Sequence, residues 1–339
     1  MYFTPQTVII NKLILNENIS LDASKKTLDV AYGIDKNFIF GCGISIASIL
    51  LNNKQTNFTF HVFTDFFDKK NREEFTKLSH QYNTQIIIYI VNCDELKSLP
   101  STKNWSYATY FRFIIADYFY EIKDKILYLD ADIICNGNVD ELVELELDNH
   151  LAAVVTEGEN PWWTKRAQAL GDDRISAGYF NAGFLLINVA QWGKEDISRQ
   201  AMTLLDNDEI KNRISFLDQD ILNMLFVDKV LFLSKKYNNQ YSINYELNKN
   251  KDTTHFITDN VIFIHYIGPT KPWHEWADYP NSHYFQIAKS HSPWENSPLE
   301  KARSSNQLRY CAKHYAHKGN IFPSLMSYAK YFTKKLLAR

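Results

Sequence analysis

The sequence predicts an α/β fold in which a mostly parallel sheet is flanked by helices on both faces. Short apolar runs alternate along the chain with segments of helical period, which is typical of β-α-β units. Several apolar runs end in Asp, Asn or His, as strands do when their carboxyl ends form a ligand site. We predict strands from Leu28 to a break at Gly33 and at residues 58–63, 85–91, 125–129, 151–156, 179–188 and 261–266, and helices at 44–51, 72–81, 107–120 and 217–226.

The composition is that of a globular protein with one large domain, or one domain and an appendage. A chain of 339 residues with 45% hydrophobic and 22% charged side chains can bury a sizeable core. The net charge of -2 argues against nucleic acid as a partner. Four widely separated cysteines indicate neither a zinc site nor disulfides, which predicts a reducing compartment. Because neither a signal peptide nor a spanning apolar segment is evident, we expect a cytoplasmic protein.

The first 27 residues show no clear period, and we expect them to form a lead-in that packs on the domain. The next unit is a strand that breaks at Gly33 into a polar turn with Asp35 and Asn37, followed by Gly41-Cys42-Gly43 and a helix. Such a strand, turn and helix N-terminus can form a nucleotide pocket, because backbone N–H groups gather there. The turn lacks a Gly-x-Gly-x-x-Gly fingerprint, so by itself it is a weak signal.

Asp130 and Asp132, which follow the predicted strand 125–129, form the most informative pattern in the chain. Side chains alternate along a strand, so both carboxylates should point to the same side. Two convergent carboxylates repel each other, and a hard divalent cation stabilises the pair. For the tripeptide alone, turn or helix-cap chemistry is the more common explanation, so its context must decide.

Arg112 interrupts an otherwise apolar helix. Such an Arg either keeps its head in water or in a salt bridge, or directs its guanidinium at an anion or sugar near the Asp pair. The loop that we predict at 157–178 contains Trp162 and Trp163, which suit either sugar stacking or packing beneath the loop.

Two later patterns place polar residues beside predicted elements. Asp218 and Asp220 lie in the first turn of the helix 217–226, where capping needs only one of them. His265 ends the last predicted strand, next to a turn that contains Gly268 and Lys271. A histidine on an apolar strand is commonly a core residue, but ligands bind at strand ends of this kind in open α/β sheets.

Five segments in this order, residues 31–37, 127–132, 179–183, 217–223 and 265–274, resemble the motifs of glycosyltransferase family 8. Their spacing matches that family across roughly residues 28–276. The chain more closely resembles the bacterial lipopolysaccharide outer-core α-1,3-hexosyltransferases, and this similarity extends into residues 101–105 and 292–294. The resemblance implies a GT-A fold, a UDP-hexose donor, a Mg²⁺ or Mn²⁺ ion and retention of the anomeric configuration. It also implies a lead-in at 1–27, a GT-A catalytic domain at 28–276 and a helical basic extension at 277–339.

The resemblance further assigns roles to single residues. The metal ligands would be Asp130, Asp132 and His265. The UDP-binding residues would be Gly33, Ile34, Asp35, Lys36, Asn37, Phe38, Asp130, Ala131, Gly268 and Lys271, with Asp35 at the base edge and Phe38 stacked. The donor sugar would be faced by Arg112, Asp130 and Asp218, and the catalytic residues would be Asn181, Gln219 and Asp220.

Two routes to retention remain open at this point. Double displacement needs a carboxylate on the face opposite the leaving group, for which Asp220 or Asp218 is the candidate. Front-face attack needs no protein nucleophile, and Gln219 and Asn181 would then stabilise the oxocarbenium ion while the departing phosphate takes the acceptor proton. We slightly favour the second route.

The expected reaction moves galactose or glucose from UDP-galactose or UDP-glucose to a glucosyl residue of the lipopolysaccharide core, with an α-1,3 linkage preferred over α-1,2. A phosphoryl transferase is disfavoured because the chain has no Gly-x-x-x-x-Gly-Lys-Ser/Thr loop. A nucleotide-sugar-binding protein without catalysis is the more distant alternative, since it would not need a metal triad.

The end of the chain is strongly basic. Residues 301–339 contain nine Lys and Arg and no acidic residue, interleaved with aromatic and aliphatic side chains. Helices that lie in a membrane interface have this composition, as does a basic helix packed on a catalytic domain. We expect the extension to hold the enzyme peripherally on the anionic cytoplasmic face of the inner membrane.

Overall fold

An eight-stranded sheet forms the centre of the protein, whose computed structural model describes residues 1–17, 19, 21–102, 106–248, 253 and 255–337. Residues 103–105, within the predicted similarity at 101–105, and the basic Arg339 lie outside this range. The strands in chain order are β1 (Ile9–Leu15), β2 (Lys26–Ile34), β3 (Thr56–Thr64), β4 (Gln85–Val91), β5 (Lys125–Leu129), β6 (Ile133–Cys135), β7 (Ala152–Thr156), β8 (Phe180–Asn188), β9 (Val230–Phe232), β10 (Asn239–Gln240) and β11 (Phe263–His265).

The main sheet has the order β1-β4-β3-β2-β5-β8-β7-β9. Strands β4, β3, β2 and β5 are parallel neighbours, whereas β1 is antiparallel to β4, and β8 is antiparallel to both β5 and β7. The chain winds outward from β2 to β4 and then returns to place β5 on the other side of β2. The carboxyl ends of β2 and β5 therefore border the point where the strand order reverses, which is where ligands bind in open α/β sheets.

Helices cover both faces of this sheet. In chain order they are α1 (Pro5–Val8), α2 (Ile39–Asn52), α3 (Lys69–Gln81), α4 (Phe111–Phe119), α5 (Asp140–Glu144), α6 (Asn160–Leu170), α7 (Val189–Lys194), α8 (Ile197–Asp206), α9 (Asp208–Arg213), α10 (Leu217–Leu225), α11 (His283–Ser290), α12 (Ser305–His317) and α13 (Ile321–Leu337). Short 3-10 turns lie at Leu96–Ser98, Tyr107–Tyr110, Asp173–Ala177, Lys235–Tyr237, Ile243–Leu247 and Pro280–Ser282. None of the helices within the described ranges is long and apolar enough to span a bilayer.

The sheet separates two apolar cores because side chains alternate along each strand. Val30 of β2 packs in the core that contains residues of α2, α3 and α11, and its neighbour Ala31 packs in the core that contains residues of α4, α7, α8 and α10. Strands β2 to β5 are buried on both faces, which explains why they are nearly continuous apolar runs in the sequence.

A small second sheet, of order β10-β11-β6, is connected to the main sheet through the carboxyl end of β5. β6 follows β5 after only three residues, and it pairs antiparallel with β11 so that His265 lies opposite Ile133. Residues 130–132 are thus the link between the two sheets. This link fixes the relative positions of the two aspartates and the histidine.

The structure corrects three local predictions. The segment 1–27 contains β1, an edge strand that we missed because its largely exposed side chains leave no clear apolar period. Gly41 and Gly43 lie inside α2 rather than in a turn. A Cβ at Gly41 would lie 2.7 Å from Trp273, and a Cβ at Gly43 would lie 2.4 Å from Trp294, so the missing side chains leave room for the two indole rings.

The third correction concerns the predicted loop 157–178, most of which is helical. α6 has a proline in its first turn and ends at Gly171 with φ of 78°, the start and stop signals of a helix. Trp162 packs edge-on against Tyr179 at 4.8 Å between ring centroids, and Trp163 donates its indole N–H to the Glu157 carbonyl. Both tryptophans are half-buried, so packing is the alternative that the structure supports.

The predicted helical extension is present and ends in a hairpin of α12 and α13. α12 begins with a capping box made by Ser304 and Gln307. The buried face of α13 carries Ser324 and Ser327, and Ser324 donates to the carbonyl of Ala312 on α12. Large apolar residues of α13 face outward, with exposed fractions between 45% and 83%: Ile321, Phe322, Leu325, Met326, Phe332, Leu336 and Leu337.

Candidate active site

Asp130, Asp132 and His265 meet where the two sheets join. The His265 Nε2 atom lies 3.1 Å from Asp132 Oδ1 and 3.9 Å from Asp130 Oδ2, and one ligand atom from each residue lies within 4.8 Å of the others. Asp132 and His265 are buried, whereas a third of the Asp130 side chain is exposed. β6 and β11 enclose Asp132 and His265.

The donor atoms of this cluster, which we call the metal triad, fit a divalent cation. Asp132 Oδ1 is buried and accepts no hydrogen bond from the described residues, which costs free energy unless a positive charge lies beside the oxygen. Burial alone would raise the pKa of Asp132, but the neighbouring Lys271 ammonium group holds that pKa well below its usual range, so the carboxylate is ionised. Carboxylate oxygens and an imidazole nitrogen suit Mg²⁺ or Mn²⁺.

Gly183 keeps the triad open. A Cβ at this position on β8 would lie 2.5 Å from His265 Cε1 and 2.7 Å from Asp130 Oδ2. The Gly183 carbonyl also accepts the Asp130 N–H at 2.8 Å, which extends the β5–β8 pairing up to the first aspartate. Only glycine lets the backbone approach the triad this closely.

Gly268 and Lys271 lie on the turn that follows β11. Gly268 is exposed and has φ of +85°, a conformation that favours glycine. The Lys271 ammonium group forms an ion pair with Asp132 and donates to the Tyr266 carbonyl at 2.9 Å. A positive charge therefore stands beside the triad, as the predicted diphosphate contact requires.

Residues 33–38 lie beside this second turn. β2 continues to Ile34 instead of breaking at Gly33, so the turn itself begins at Asp35. The Phe38 ring lies 5.9 Å from the Trp273 ring, and the Lys271 Nζ atom lies 5.9 Å from the Phe38 centroid. Asp35 accepts the Asn37 N–H and the Ser106 hydroxyl, each at 2.8 Å. The structure thus brings both predicted parts of the UDP site to the carboxyl edge of the sheet.

The remaining predicted UDP residues occupy the same edge. Ile34 and Ala131 are buried, Gly33 is partly exposed, and Lys36 and Asn37 are exposed. A Cβ on Gly33 would lie 2.7 Å from Phe111 Cβ, so glycine allows α4 to pack close to the turn. All of these roles in UDP binding stay predictions.

Arg112 is buried rather than solvated, and it joins two aspartates. Its Nη2 atom lies 3.3 Å from Asp130 Oδ1, and its Nε atom lies 3.0 Å from Asp218 Oδ2. It also donates to the Ala182 carbonyl and lies over the Tyr128 ring at 4.6 Å. Of the two alternatives for Arg112, this geometry shows the salt-bridged residue, which lies beside the Asp pair.

Asp218 is held in an unusual environment at the start of α10. Burial raises the pKa of Asp218 to about 6, although Arg112 and the hydroxyl of Thr109 oppose that change. The preceding Leu217 has φ of 47°, a strained value for a bulky residue, which is found most often at functional sites.

Asn181 and Gln219 are in direct contact. Asn181 Nδ2 donates to Gln219 Oε1 at 3.2 Å, and Gln219 Oε1 also accepts the Ala182 N–H at 3.0 Å. Glu157, which the sequence analysis missed, accepts from both amides at 2.9 Å. Its position directly after β7 is the same strand-end signal that marked Asp130, and could have identified it.

The Asp220 side chain points into the protein interior instead. Its carboxylate is fully buried, and the Arg166 Nη2 atom lies 2.7 Å from each of its oxygens. It also accepts from the Tyr179 hydroxyl and from the backbone N–H groups of Ser215 and Phe216. These contacts occupy both carboxylate oxygens, an arrangement that does not favour a nucleophilic role. The catalytic role of Asp220 stays a prediction.

A GT-A-like mixed sheet, an Asp-x-Asp link at its carboxyl edge and a neighbouring lysine turn define the chain as a transferase of the nucleotide-diphospho-sugar class. Two family models match it: Glycosyl transferase family 8 over residues 29–277 and Glycosyl transferase family 8 C-terminal over residues 279–335. The chain therefore belongs to glycosyl transferase family 8, as its motifs predicted.

Curated relatives match almost the whole chain. A Lipopolysaccharide 1,3-galactosyltransferase of Salmonella typhimurium is 51% identical over 95% of this chain and 96% of the relative. Lipopolysaccharide glucosyltransferase WaaO of Escherichia coli is 50% identical over 98% of both chains. A Lipopolysaccharide 1,2-glucosyltransferase of Escherichia coli is 38% identical over 94% of both chains.

A solved structure confirms the predicted fold. The galactosyltransferase LgtC in complex with donor and acceptor sugar analogues superposes with a TM-score of 0.67 and covers 78% of this chain and 96% of that chain, at 24% sequence identity. The predicted GT-A fold is thereby confirmed. The family models confirm the predicted glycosyltransferase class.

Proposed function

We propose that the protein transfers a hexose from UDP-galactose or UDP-glucose to a glucosyl residue of a lipopolysaccharide core and forms an α-1,3 linkage. The supporting observation is the nearly full-length similarity, at 51% and 50% identity, to the 1,3-galactosyltransferase and WaaO, against 38% for the 1,2-glucosyltransferase. The two candidate donors differ in the orientation of one hydroxyl group, which very few residues can distinguish.

Asp130, Asp132 and His265 would hold a Mg²⁺ or Mn²⁺ ion. The unpartnered Asp132 Oδ1 and the bare Gly183 support this assignment. When bound, the ion neutralises charge on the diphosphate leaving group. Lys271 supplies a second positive charge, and it stabilises the transition state more than the ground state because the charge on the leaving oxygen develops only as the glycosidic bond breaks.

The turn 33–38 would bind the uridine. Asp35 already accepts two hydrogen bonds from the protein, and these hold its carboxylate in one orientation. A carboxylate offers about four acceptor positions, so Asp35 retains capacity for an N–H group at the base edge. The half-buried Phe38 ring is the proposed stacking surface.

Arg112 acts on the donor sugar through its two aspartate partners. Its donor groups are committed to protein atoms, including the carbonyls of Thr109 and Ala182. We therefore assign it the task of orienting Asp130 and Asp218, whose carboxylates then face the sugar. This assignment refines the direct sugar contact that the family resemblance implied.

The contacts of Asp220 favour front-face attack. Because the Asp220 carboxylate is enclosed by Arg166 and three other donor groups, we assign it to the support of α10. Gln219 and Asn181 then stabilise the oxocarbenium ion, and the departing phosphate takes the acceptor proton.

Incubation with UDP-glucose and UDP-galactose separately, on lipopolysaccharide cores truncated at the glucosyl residue, tests the proposal. We expect one donor to give an α-1,3-linked product that forms only with a divalent ion, and NMR of the product reports both anomer and linkage. Asp132→Ala serves as the inactive control. An α-1,2 or β linkage, or full turnover in a chelator, would contradict the proposed reaction.

We also propose that the hairpin of α12 and α13 attaches the enzyme to an anionic membrane surface. α13 packs on α12 through Ser324 and Ser327, while its large apolar residues face outward, the reverse of a helix that serves a protein core. The hairpin segment 301–339 carries nine basic residues and no acidic one. An apolar face flanked by basic residues matches the chemistry of an anionic lipid surface.

Substitution on α13 tests this attachment better than deletion of residues 301–339. α12 contributes buried side chains, and His314 bonds Tyr279 and Asn244 at 2.8 and 2.9 Å, so deletion would damage the domain. The double variant Leu325→Gln/Phe332→Gln changes only exposed residues, and Ile122→Gln is a control at an exposed site outside the hairpin.

In a sedimentation assay, the double variant should no longer sediment with anionic liposomes, whereas Ile122→Gln should sediment with them. Its turnover on a lipid-embedded acceptor should fall more than its turnover on a soluble oligosaccharide. If both acceptors are affected equally, the hairpin supports the fold rather than membrane contact.

A further inference from the structure

A continuous set of hydrogen bonds joins the metal triad to the residues on the sugar side. Two backbone donors fix its directions, because an N–H group can only donate. The Gly183 N–H lies 3.0 Å from one side-chain atom of Asn181, which must therefore be the carbonyl oxygen Oδ1. The Ala182 N–H likewise identifies Gln219 Oε1.

Asn238 is the next member of the set, and its orientation follows. One atom of its amide lies 3.0 Å from Asn181 Oδ1, which is an acceptor, so that atom is the amino group Nδ2. The other atom is then the carbonyl oxygen Oδ1, and it lies 2.9 Å from His265 Nδ1. The His265 ring must accordingly carry its proton on Nδ1.

This tautomer has a consequence for the metal triad. A neutral imidazole protonated on Nδ1 presents a lone pair at Nε2. His265 Nε2 lies 3.1 Å from Asp132 Oδ1, which accepts no hydrogen bond from the part of the chain that the structure describes. A cation placed between these two atoms would bind to both of them. The hydrogen bond to Asn238 thus prepares His265 to act as a ligand.

Asn238 itself is 2% exposed and lies on the short connection between the 3-10 turn Lys235–Tyr237 and β10. Glu157 completes the opposite end of the set, where it accepts from Asn181 and Gln219. A single amide at position 238 therefore satisfies one residue of the triad and one residue on the sugar side.

We propose that Asn238 is a positioning residue, whose amide group holds His265 in the tautomer that binds the cation and holds Asn181 in the orientation that faces the donor sugar. The proposal rests on the functions proposed above for His265 and Asn181. It assigns to Asn238 two separable tasks: its oxygen acts on His265, and its amino group acts on Asn181.

Two substitutions separate these tasks. Asn238→Ala removes both hydrogen bonds. Asn238→Asp keeps an oxygen that accepts from His265 but loses the donor to Asn181. It places a carboxylate oxygen of residue 238 against Asn181 Oδ1, which is also an acceptor. Asn53→Ala is the matched control, because Asn53 is a buried asparagine with 3% exposure that bonds Ile49, Gly137 and Val139 instead of the site.

The first measurement is ¹⁵N NMR of the metal-free protein at pH 8 with selectively labelled histidine. The chain has 10 histidines, and the signal of His265 is assigned by its loss in His265→Gln. We expect a proton on Nδ1 in the wild type, in Asn238→Asp and in Asn53→Ala, and a mixture of tautomers in Asn238→Ala.

The second measurement combines Mn²⁺ titration in the presence of UDP with steady-state kinetics. Asn238→Ala should bind Mn²⁺ about 10- to 100-fold more weakly, as is usual when the partner of a metal-bound histidine is lost. Asn238→Asp should keep its Mn²⁺ affinity within about threefold while its kcat falls at least about tenfold. Asn53→Ala should lose thermal stability without either change.

Three results would each overturn the proposal. The first is a proton on His265 Nε2 in the wild-type protein, and the second is an unchanged His265 tautomer in Asn238→Ala. The third is an equal loss of Mn²⁺ affinity in the two Asn238 variants. If the tautomers behave as expected but the wild type binds no Mn²⁺, the positioning by Asn238 is upheld and the metal-binding role of His265 fails. The two ideas therefore fail separately.

Discussion

Gly183→Ala should disable the metal triad while it leaves most of the fold intact. The new Cβ would lie 2.5 Å from His265 Cε1, 2.7 Å from Asp130 Oδ2 and 3.0 Å from Asn181 Oδ1. Carbon atoms do not approach other heavy atoms this closely, so His265 and Asp130 must move apart. Overpacking of this kind costs about 1–3 kcal/mol, which corresponds to about a 5- to 150-fold loss if it falls on cation affinity.

The assay is Mn²⁺ binding in the presence of UDP, together with thermal unfolding of the metal-free protein. Gly137→Ala is a matched control, because its Cβ would meet Ile262 at 3.3 Å, outside the site. The control should retain wild-type Mn²⁺ affinity and turnover. Wild-type Mn²⁺ affinity and turnover in Gly183→Ala would refute the packing of the triad against β8.

Three further predictions concern single carboxylates. Asp132→Ala should lower turnover about a thousandfold, since the metal supplies about 4 kcal/mol of charge stabilisation, and added Mn²⁺ should not restore it. Asp218→Asn tests the raised pKa of Asp218. The Asp218 carboxyl has a pKa of about 6 in the native state, against an ordinary 3.8 in the unfolded chain. The free energy of unfolding of the wild type should therefore fall as the pH rises from 3.8 to about 6. Urea unfolding of metal-free protein should therefore show the wild type losing about 3 kcal/mol relative to Asp218→Asn between pH 4 and 7, and a pH-independent difference would contradict this. Asp220→Asn should lower the free energy of unfolding by about 3–5 kcal/mol, because it leaves the buried Arg166 charge unpaired. Arg166→Gln/Asp220→Asn should recover both stability and turnover, whereas a nucleophilic Asp220 would leave this double variant inactive.

Much of the fold could be predicted because its central strands are buried on both faces. The strand at 85–91 was predicted with the bounds that β4 has, and β5 was predicted up to the first aspartate of the triad. β1 and α6 were missed for different reasons. The exposed edge strand has little apolar pattern, and the Pro161 and Gly171 signals of α6 were interpreted as a loop.

The sequence by itself determined which residues gather at the site, because polar residues directly after buried strands must meet at the carboxyl edge of the sheet. Asp130 and the turn after β2 follow this rule, as does Glu157, which we overlooked. His265 instead ends β11 of the small sheet and reaches the site through the pairing of β11 with β6. The tertiary structure alone decided how each side chain is used. Asp218 and Asp220 lie two residues apart on one helix, yet Asp218 meets Arg112 while Asp220 meets Arg166, 54 residues away in the chain. Local sequence carries no record of such distant partners, so only the packed structure separates a carboxylate at the site from one that holds the helix in place.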